Sequence, residues 1–271
     1  MTIPLSNKFY ETGRVFHRRL AITPVGSAGS AAGVAYTSLP PCRLTHVKFD
    51  FSASHAATSD TLLKADGLSD GSTGRTLLTL TDTTTDIPIR ALAQPLAVDE
   101  GRAAVAATDG VEGGAFIKNG LAMTVAQGDA VADTVIADFW FEALRYEVVT
   151  LVAQTGADGA GAVTRTVPMY GAGNLLGVEL DYQNTPATAD VVIKADSTGG
   201  ETLFTSTSSQ TDLTPVALGI IGIDEANAAA AATDSMGGGA PFRTGLFFSV
   251  AESDAFTSGN EKILVHCWIR Q

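Results

Sequence analysis

The stretch ATSDTLLKAD, Ala57 to Asp66, returns later in the chain as ATADVVIKAD, Ala187 to Asp196. Working outward, DEGRAAVAATD (Asp99 to Asp109) returns without a gap as DEANAAAAATD (Asp224 to Asp234), with eight of eleven residues identical. Asp129 matches Asp254 and Trp140 matches Trp268, so the register between the copies drifts by only a few residues. Drift of that size is what turns of different length produce, because loop length is thermodynamically cheap and strand register is not. Two copies are too few for a solenoid, so each must be a domain with its own core. The expected division is an N-terminal arm at 1–13, a first repeat at 14–146 and a second at 147–271.

Each copy reads as short β segments separated by Gly, Ser, Asp and Thr. In the first they fall at about 18–24, 34–39, 44–53, 61–65, 76–81, 87–92, 115–125 and 134–146. In the second they fall at about 148–153, 163–167, 176–182, 191–194, 202–207, 214–220, 242–250 and 262–270. Alternation is clearest in Val47-Lys48-Phe49-Asp50-Phe51 and Val178-Glu179-Leu180-Asp181-Tyr182, where one face is apolar and the other charged. An antiparallel sheet with one wet face has that pattern. Gly/Ala-rich loops at 26–33 and 156–161 link the first two strands of each copy. The Ala-rich runs 99–107 and 224–232, opened by acidic residues, are expected to form short helical turns.

Eight strands per copy without βα alternation predict an all-β chain of two tandem jelly-roll-like β-sandwiches arising from internal duplication. An immunoglobulin-like sandwich is the runner-up, although the Cys, Trp, Cys spacing of antibody domains is absent. Trp140 and Trp268, each in the last strand of its copy, are expected at equivalent core or inter-domain positions.

The chain has 271 residues, 45% of them hydrophobic and 17% charged. No apolar run approaches the roughly 18 residues of a membrane-spanning helix. The start, MTIPLSNKFYETGRVF, lacks an apolar stretch of signal-peptide length, so secretory export is not expected. Two cysteines, Cys42 and Cys267, exclude a disulfide framework and leave one bridge open. Four scattered histidines and no CxxC or HExxH pattern give no metal centre.

The net charge of −12 is uneven: residues 1–145 carry 12 basic and 15 acidic side chains, whereas 146–271 carry 5 and 14. An acidic body is a poor partner for nucleic acid. The basic exception is residues 1–19, where Lys8, Arg14, Arg18 and Arg19 oppose Glu11 alone. Phe9 and Tyr10 adjoin these arginines outside the duplicated unit. Phe9, Tyr10, Arg14, Arg18 and Arg19 are therefore the candidate partner-binding residues, suited to an acidic protein surface. A solvated first strand is the alternative.

Polar positions shared by both copies are the other candidates: Asp60/Asp190, Lys64/Lys194, Asp66/Asp196, Asp99/Asp224, Glu100/Glu225, Thr108/Thr233, Asp109/Asp234 and Asp129/Asp254. Asp and Thr at strand ends ordinarily fix turns by bonding nearby backbone groups. Asp66 and Asp70 also resemble a hard-cation loop, but the bidentate Glu of an EF-hand is missing and the second copy keeps one carboxylate. No histidine is duplicated and no GxSxG or P-loop pattern occurs, so neither a catalytic centre nor a cofactor is expected.

The chain resembles the head decoration, or cement, proteins of tailed bacteriophages. The resemblance lies in the Asp/Gly turns after the Lys-Ala-Asp strand ends and in the segments Gly113 to Val125 and Gly237 to Val250. In each of these, Gly-Gly-Ala-Phe or Gly-Gly-Ala-Pro-Phe leads into a Gly-Leu-x-x-x-Val strand; an aromatic-rich final strand completes the likeness. It implies a virion protein made in the host cytoplasm and placed on the capsid exterior, a homo-oligomer and most often a trimer, with the major capsid protein as partner. A small double jelly-roll major capsid protein and a carbohydrate- or receptor-binding sandwich are the alternatives.

Overall fold

The computed structural model describes residues 13–23, 31–51, 59–80, 87–91, 115–127, 134–152, 163–168, 172–183, 189–209, 212–217, 239–252 and 262–271. The chain divides into two compact units, Met1–Leu144 and Arg145–Gln271. The described residues form eighteen β-strands, and every paired ladder is antiparallel. The expected helical runs at 99–107 and 224–232 lie outside the described residues, as does most of each Gly/Ala loop.

The first unit holds β1 (Val15–Ile22), β2 (Ala31–Ser38), β3 (Cys42–Phe51), β4 (Ser59–Ala65), β5 (Arg75–Leu80), β6 (Ile87–Ala91), the short β7 (Ala115–Ile117), β8 (Gly120–Gln127) and β9 (Val135–Ala143). One sheet runs β1-β9-β3-β6, with β7 added to β3, and the other runs β2-β8-β4-β5. Set β7 aside and number the main strands one to eight. The orders become 1-8-3-6 and 2-7-4-5, the interleaved double Greek key of a jelly roll.

The second unit repeats this strand for strand. It holds β10 (Arg145–Val152), β11 (Val163–Pro168), β12 (Gly173–Gln183), β13 (Ala189–Ala195), β14 (Thr202–Ser209), β15 (Leu213–Ala217), the short β16 (Ala240–Phe242), β17 (Gly245–Glu252) and β18 (Lys262–Arg270). Its sheets run β10-β18-β12-β15, with β16 on β12, and β11-β17-β13-β14. An immunoglobulin arrangement is thereby replaced by two jelly rolls.

The irregularities recur too. Register shifts fall between Leu44 and His46 in the β3–β9 ladder and between Leu175 and Gly177 in β12–β18. Others fall at Leu63/Lys64 against Ile193/Lys194 and at Val47/Phe49 against Val178/Leu180. Bulges are specified features of a ladder, so their coincidence ties the two units to one ancestor more firmly than sequence identity does.

The expected alternation is present: Val47, Phe49 and Phe51 are buried while Lys48 and Asp50 between them are partly exposed, and Val178 to Tyr182 do the same. Each unit has its own core. The first gathers Leu44, Phe49, Phe51, Leu63, Met123, Phe139 and Phe141; the second gathers Leu175, Leu180, Val191, Phe248, Val265 and Ile269. Cys42 and Cys267 are buried and free, so the bridge left open by the sequence is not made. Burial pushes both thiols far up.

Three strand assignments change. The segment expected as one strand at 134–146 ends with β9 at Ala143, where the Leu144 N–H leaves the ladder to donate to the Pro41 carbonyl at 3.1 Å. Tyr146 therefore belongs to β10, opposite Trp268. The segments expected at 115–125 and 242–250 are each cut in two by a tight turn, at Lys118-Asn119 and Arg243-Thr244. Trp140 and Trp268 occupy equivalent ladder positions, opposite His17 and Tyr146, but neither joins the main core; Trp140 is half-buried and Trp268 buried.

Candidate partner-binding surface

Of the five residues singled out as partner-binding, Phe9 and Tyr10 lie outside the described residues. Arg14 is exposed just ahead of β1, an edge strand whose ladder partner is β9. Along β1 the side chains alternate: Phe16, Leu20 and Ile22 turn towards the core, while His17 and Arg19 stand on the opposite face. Arg18 lies over the Phe16 ring at 5.3 Å and donates to the His17 carbonyl at 2.9 Å.

Arg19 is already engaged. Its Nε donates to Asp138 Oδ1 at 2.9 Å and its Nη2 to Oδ2 at 3.0 Å, a two-pronged pair, while His17 Nε2 lies 2.8 Å from the same Oδ1. The Asp138 side chain keeps only 8% of its surface exposed against 60% for Arg19. The Arg19 guanidinium, first, and the His17 ring hold the Asp138 carboxyl below the usual carboxylate range. On the same face of β9 two residues further along the same alternation, beyond Trp140, Glu142 accepts from Arg43 of β3 at 2.7 Å. The structure thus brings Arg19 together with His17, Asp138, Trp140, Glu142 and Arg43. The β9 alternation, Ile-Ala-Asp-Phe-Trp-Phe-Glu-Ala, carried the signal that Asp138 and Glu142 share the non-core face.

The sign of the pH dependence follows from the depressed carboxyl. An unfolded Asp titrates near 3.9, so Asp138 contributes fully above that pH and its contribution is lost as pH falls through the lower folded value. Asp138→Asn is therefore expected to flatten the acid limb of thermal stability below about pH 4. At pH 7 it should cost about 1 kcal/mol, because the partners are solvated. Melting curves between acid and neutral pH check this.

Of the duplicated polar pairs, Asp66/Asp196 and Lys64/Lys194 act on turns. Asp66 and Asp196 both adopt left-handed backbone conformations, with φ of 62° and 63°. Asp66 Oδ1 accepts from the Lys118 N–H at 2.6 Å and the Asn119 N–H at 3.2 Å. Asp196 Oδ1 accepts from the backbone N–H groups of Arg243, Thr244 and Gly245 at 2.9, 2.6 and 3.2 Å. Each carboxylate pins the turn that cuts the expected long strand in two. Lys64 and Lys194 donate to loop carbonyls of Gly71 and Thr198 at 2.9 and 3.1 Å.

The oxygen suggested for a cation thus faces N–H donors. Asp70 accepts from the Ser72 N–H and hydroxyl, which hold its carboxyl low. Among the described residues no group of three or more His, Cys, Asp or Glu gathers as a metal site. The side chains of Asp60, Asp99, Glu100, Thr108, Asp109, Asp129, Asp224, Glu225, Thr233, Asp234 and Asp254 lie outside the described set.

The class defined by these strand orders is a tandem jelly-roll protein. No family model matches the sequence, and no curated protein matches it. Among solved structures, the STIV MCP is 8% identical over 95% of this chain and 96% of that one, with a TM-score of 0.28. VP54 of PBCV-1 is 7% identical over 94% and 93%, at 0.24. VP2 of infectious bursal disease virus is 12% identical over 95% of this chain and 72% of that one, at 0.24. The jelly-roll assignment rests on the strand orders, independently of these scores.

Proposed function

We propose that the chain is a structural protein of a virion, whose two jelly rolls present surfaces to other capsid subunits. The observation that supports this best is the identical eight-strand order in both units, each closed around a core filled by its own side chains. Capsids are a principal use of the jelly roll, so the step from fold to role is one of analogy. The tandem duplication favours a coat subunit, three copies of which would supply six jelly rolls to a ring. The basic start, with Arg14 exposed beside an edge strand, favours the second role: a decoration protein on the exterior of a tailed-phage head. Its partner would then be the major capsid protein. In neither role does the chain turn over a substrate.

Electron microscopy of the purified chain separates the two. Rings or closed shells formed by this chain alone indicate the coat subunit. Saturable binding to undecorated heads, weakened by removing residues 1–13 and accompanied by greater heat resistance of the heads, indicates decoration. A chain that neither assembles nor binds any particle overturns both.

A further inference from the structure

Asn119 alone among the asparagines of the chain is followed by glycine. The pair lies at the turn from β7 to β8, where the chain leaves the sheet of β3 for the other sheet of the first unit. The second unit has Thr244-Gly245 at the same place. Packing demands the glycine: a Cβ on Gly120 would stand 2.3 Å from the Tyr36 hydroxyl oxygen. The residue before it differs in how it is held. Thr244 turns its hydroxyl back onto Asp196 at 3.1 Å. Asn119 is exposed, and among the described residues its side-chain amide has no hydrogen-bond partner.

An untethered asparagine amide ahead of an unshielded backbone nitrogen is a reactive pair, because glycine has no side chain to screen its own N–H. Once its proton passes to hydroxide, the Gly120 nitrogen can attack Asn119 Cγ. A new N–Cγ bond closes a succinimide ring, the Cγ–Nδ2 bond breaks and ammonia leaves. Water then opens the ring at either carbonyl, giving aspartate or isoaspartate. The balance is one water taken up and one ammonia released, with no oxidant, metal or second protein.

Backbone geometry restrains the attack, since the Gly120 nitrogen must swing over the Asn119 side chain while the turn is tied down. Asp66 Oδ1 accepts from the Lys118 and Asn119 N–H groups at 2.6 and 3.2 Å, and the Asp66 N–H donates to the Gly120 carbonyl at 3.0 Å. The Leu39 N–H adds a bond to the Asn119 carbonyl at 3.0 Å. Three of these four bonds involve Asp66. We propose that Asn119-Gly120 is a self-modification site, closed while Asp66 grips the turn and reactive when the turn opens. The reading does not depend on the virion role. Either product adds a negative charge to the residue whose N–H Asp66 accepts. Burial already disfavours the charge on Asp66, so a second carboxylate there loosens the grip. Isoaspartate also routes the main chain through its side chain, lengthening the turn that joins the two sheets.

The test is peptide mapping by mass spectrometry after incubation of the full chain at mildly alkaline pH, against a sample digested without incubation. Cleavage after Lys118 and Arg145 gives a peptide in which Asn119 is the sole asparagine. The folded wild type is expected to gain the amide-to-acid mass and isoaspartate in that peptide, more slowly than the same chain in denaturant. Asp66→Ala, shown by circular dichroism to be folded, should raise the rate about tenfold through a larger open population of the turn. Asp66→Asn keeps the acceptor oxygen and should stay near the wild-type rate. Asn119→Thr, which copies the second unit, should abolish the signal with the melting temperature retained, and Asn119→Asp should lower that temperature. A folded wild type that reacts as fast as the denatured chain, a folded Asp66→Ala that reacts no faster than wild type, or no gain at Asn119 in any sample overturns the proposal. If Asp66→Ala does not fold, the folded-to-denatured comparison and Asp66→Asn decide it.

Discussion

Phe139→Ala is expected to lower the unfolding free energy by about 3–5 kcal/mol. Phe139 is fully buried on β9 at the centre of the first core, where it meets the edge of Phe49 at 5.9 Å and 88° and lies 6.3 Å from Phe141. Truncation removes a ring's worth of buried area and leaves a cavity beside the Phe49 and Phe141 rings, whose strands are tied into the β1-β9-β3 ladders and so close on it only in part. It also removes an edge-to-face pair worth about 1 kcal/mol beyond area. The same ladder position in the second unit is Cys267, and Phe49 is matched by Leu180. Cys267→Ala removes one buried sulfur, and should cost about 1 kcal/mol. Denaturant titration of both variants measures the contrast; equal costs would show that the two cores are not built around the same position with different fillings.

That contrast shows what could be read from the sequence and what could not. Position 139 and position 267 share a ladder site although one is Phe and the other Cys, because the backbone pattern of alternation and bulges is retained while side-chain volume is redistributed among neighbours. Alternation in 47–51 and 178–182 gave the strands and their inward faces directly. Eight strands with Gly- and Asp-rich breaks gave the sandwich. Strand order, by contrast, is a matter of long-range pairing, and local periodicity only restricts it.

Polar chemistry was legible in part. Duplication pointed to Asp66/Asp196 and Lys64/Lys194 as a matched set, and they prove to be matched turn fasteners. It could not reveal that these aspartates cut the segments after them into two strands, because their N–H partners lie 52 and 47 residues away. Asp138 escaped notice for the opposite reason. Its counterpart is His266, so the two copies share no carboxylate at that position. Arg19 read as a free cation because its partner lies 119 residues downstream.

Asp66→Ala is expected to cost about 2–4 kcal/mol, for two separable reasons. The carboxylate supplies the acceptor for the Lys118 and Asn119 N–H groups, which would be left without it in a partly buried turn. The backbone at φ of 62° is one that Asp and Asn tolerate better than Ala. Asp66→Gly relieves the second while keeping the first loss, so it should recover about 1 kcal/mol of the Ala cost. Asp66→Asn keeps both the acceptor oxygen and the left-handed preference. Its effect depends on the charge. Burial pushes the Asp66 carboxyl up, with the Lys118 and Asn119 N–H groups pulling against it, whereas the Thr244 N–H, followed by that of Arg243, holds the Asp196 carboxyl down. A raised folded value means that stability from Asp66 is full below the unfolded pKa and falls as pH rises through the folded one; for Asp196 it is full above the unfolded pKa and falls on acidification. At pH 7, therefore, Asp66→Asn should be neutral or stabilising and Asp196→Asn destabilising, with the two differences converging as the solution is taken to about pH 4. Melting temperatures of the two amide variants at both pH values decide this: amides that destabilise equally at pH 7 would mean that the two turns hold their carboxylates in the same electrostatic setting.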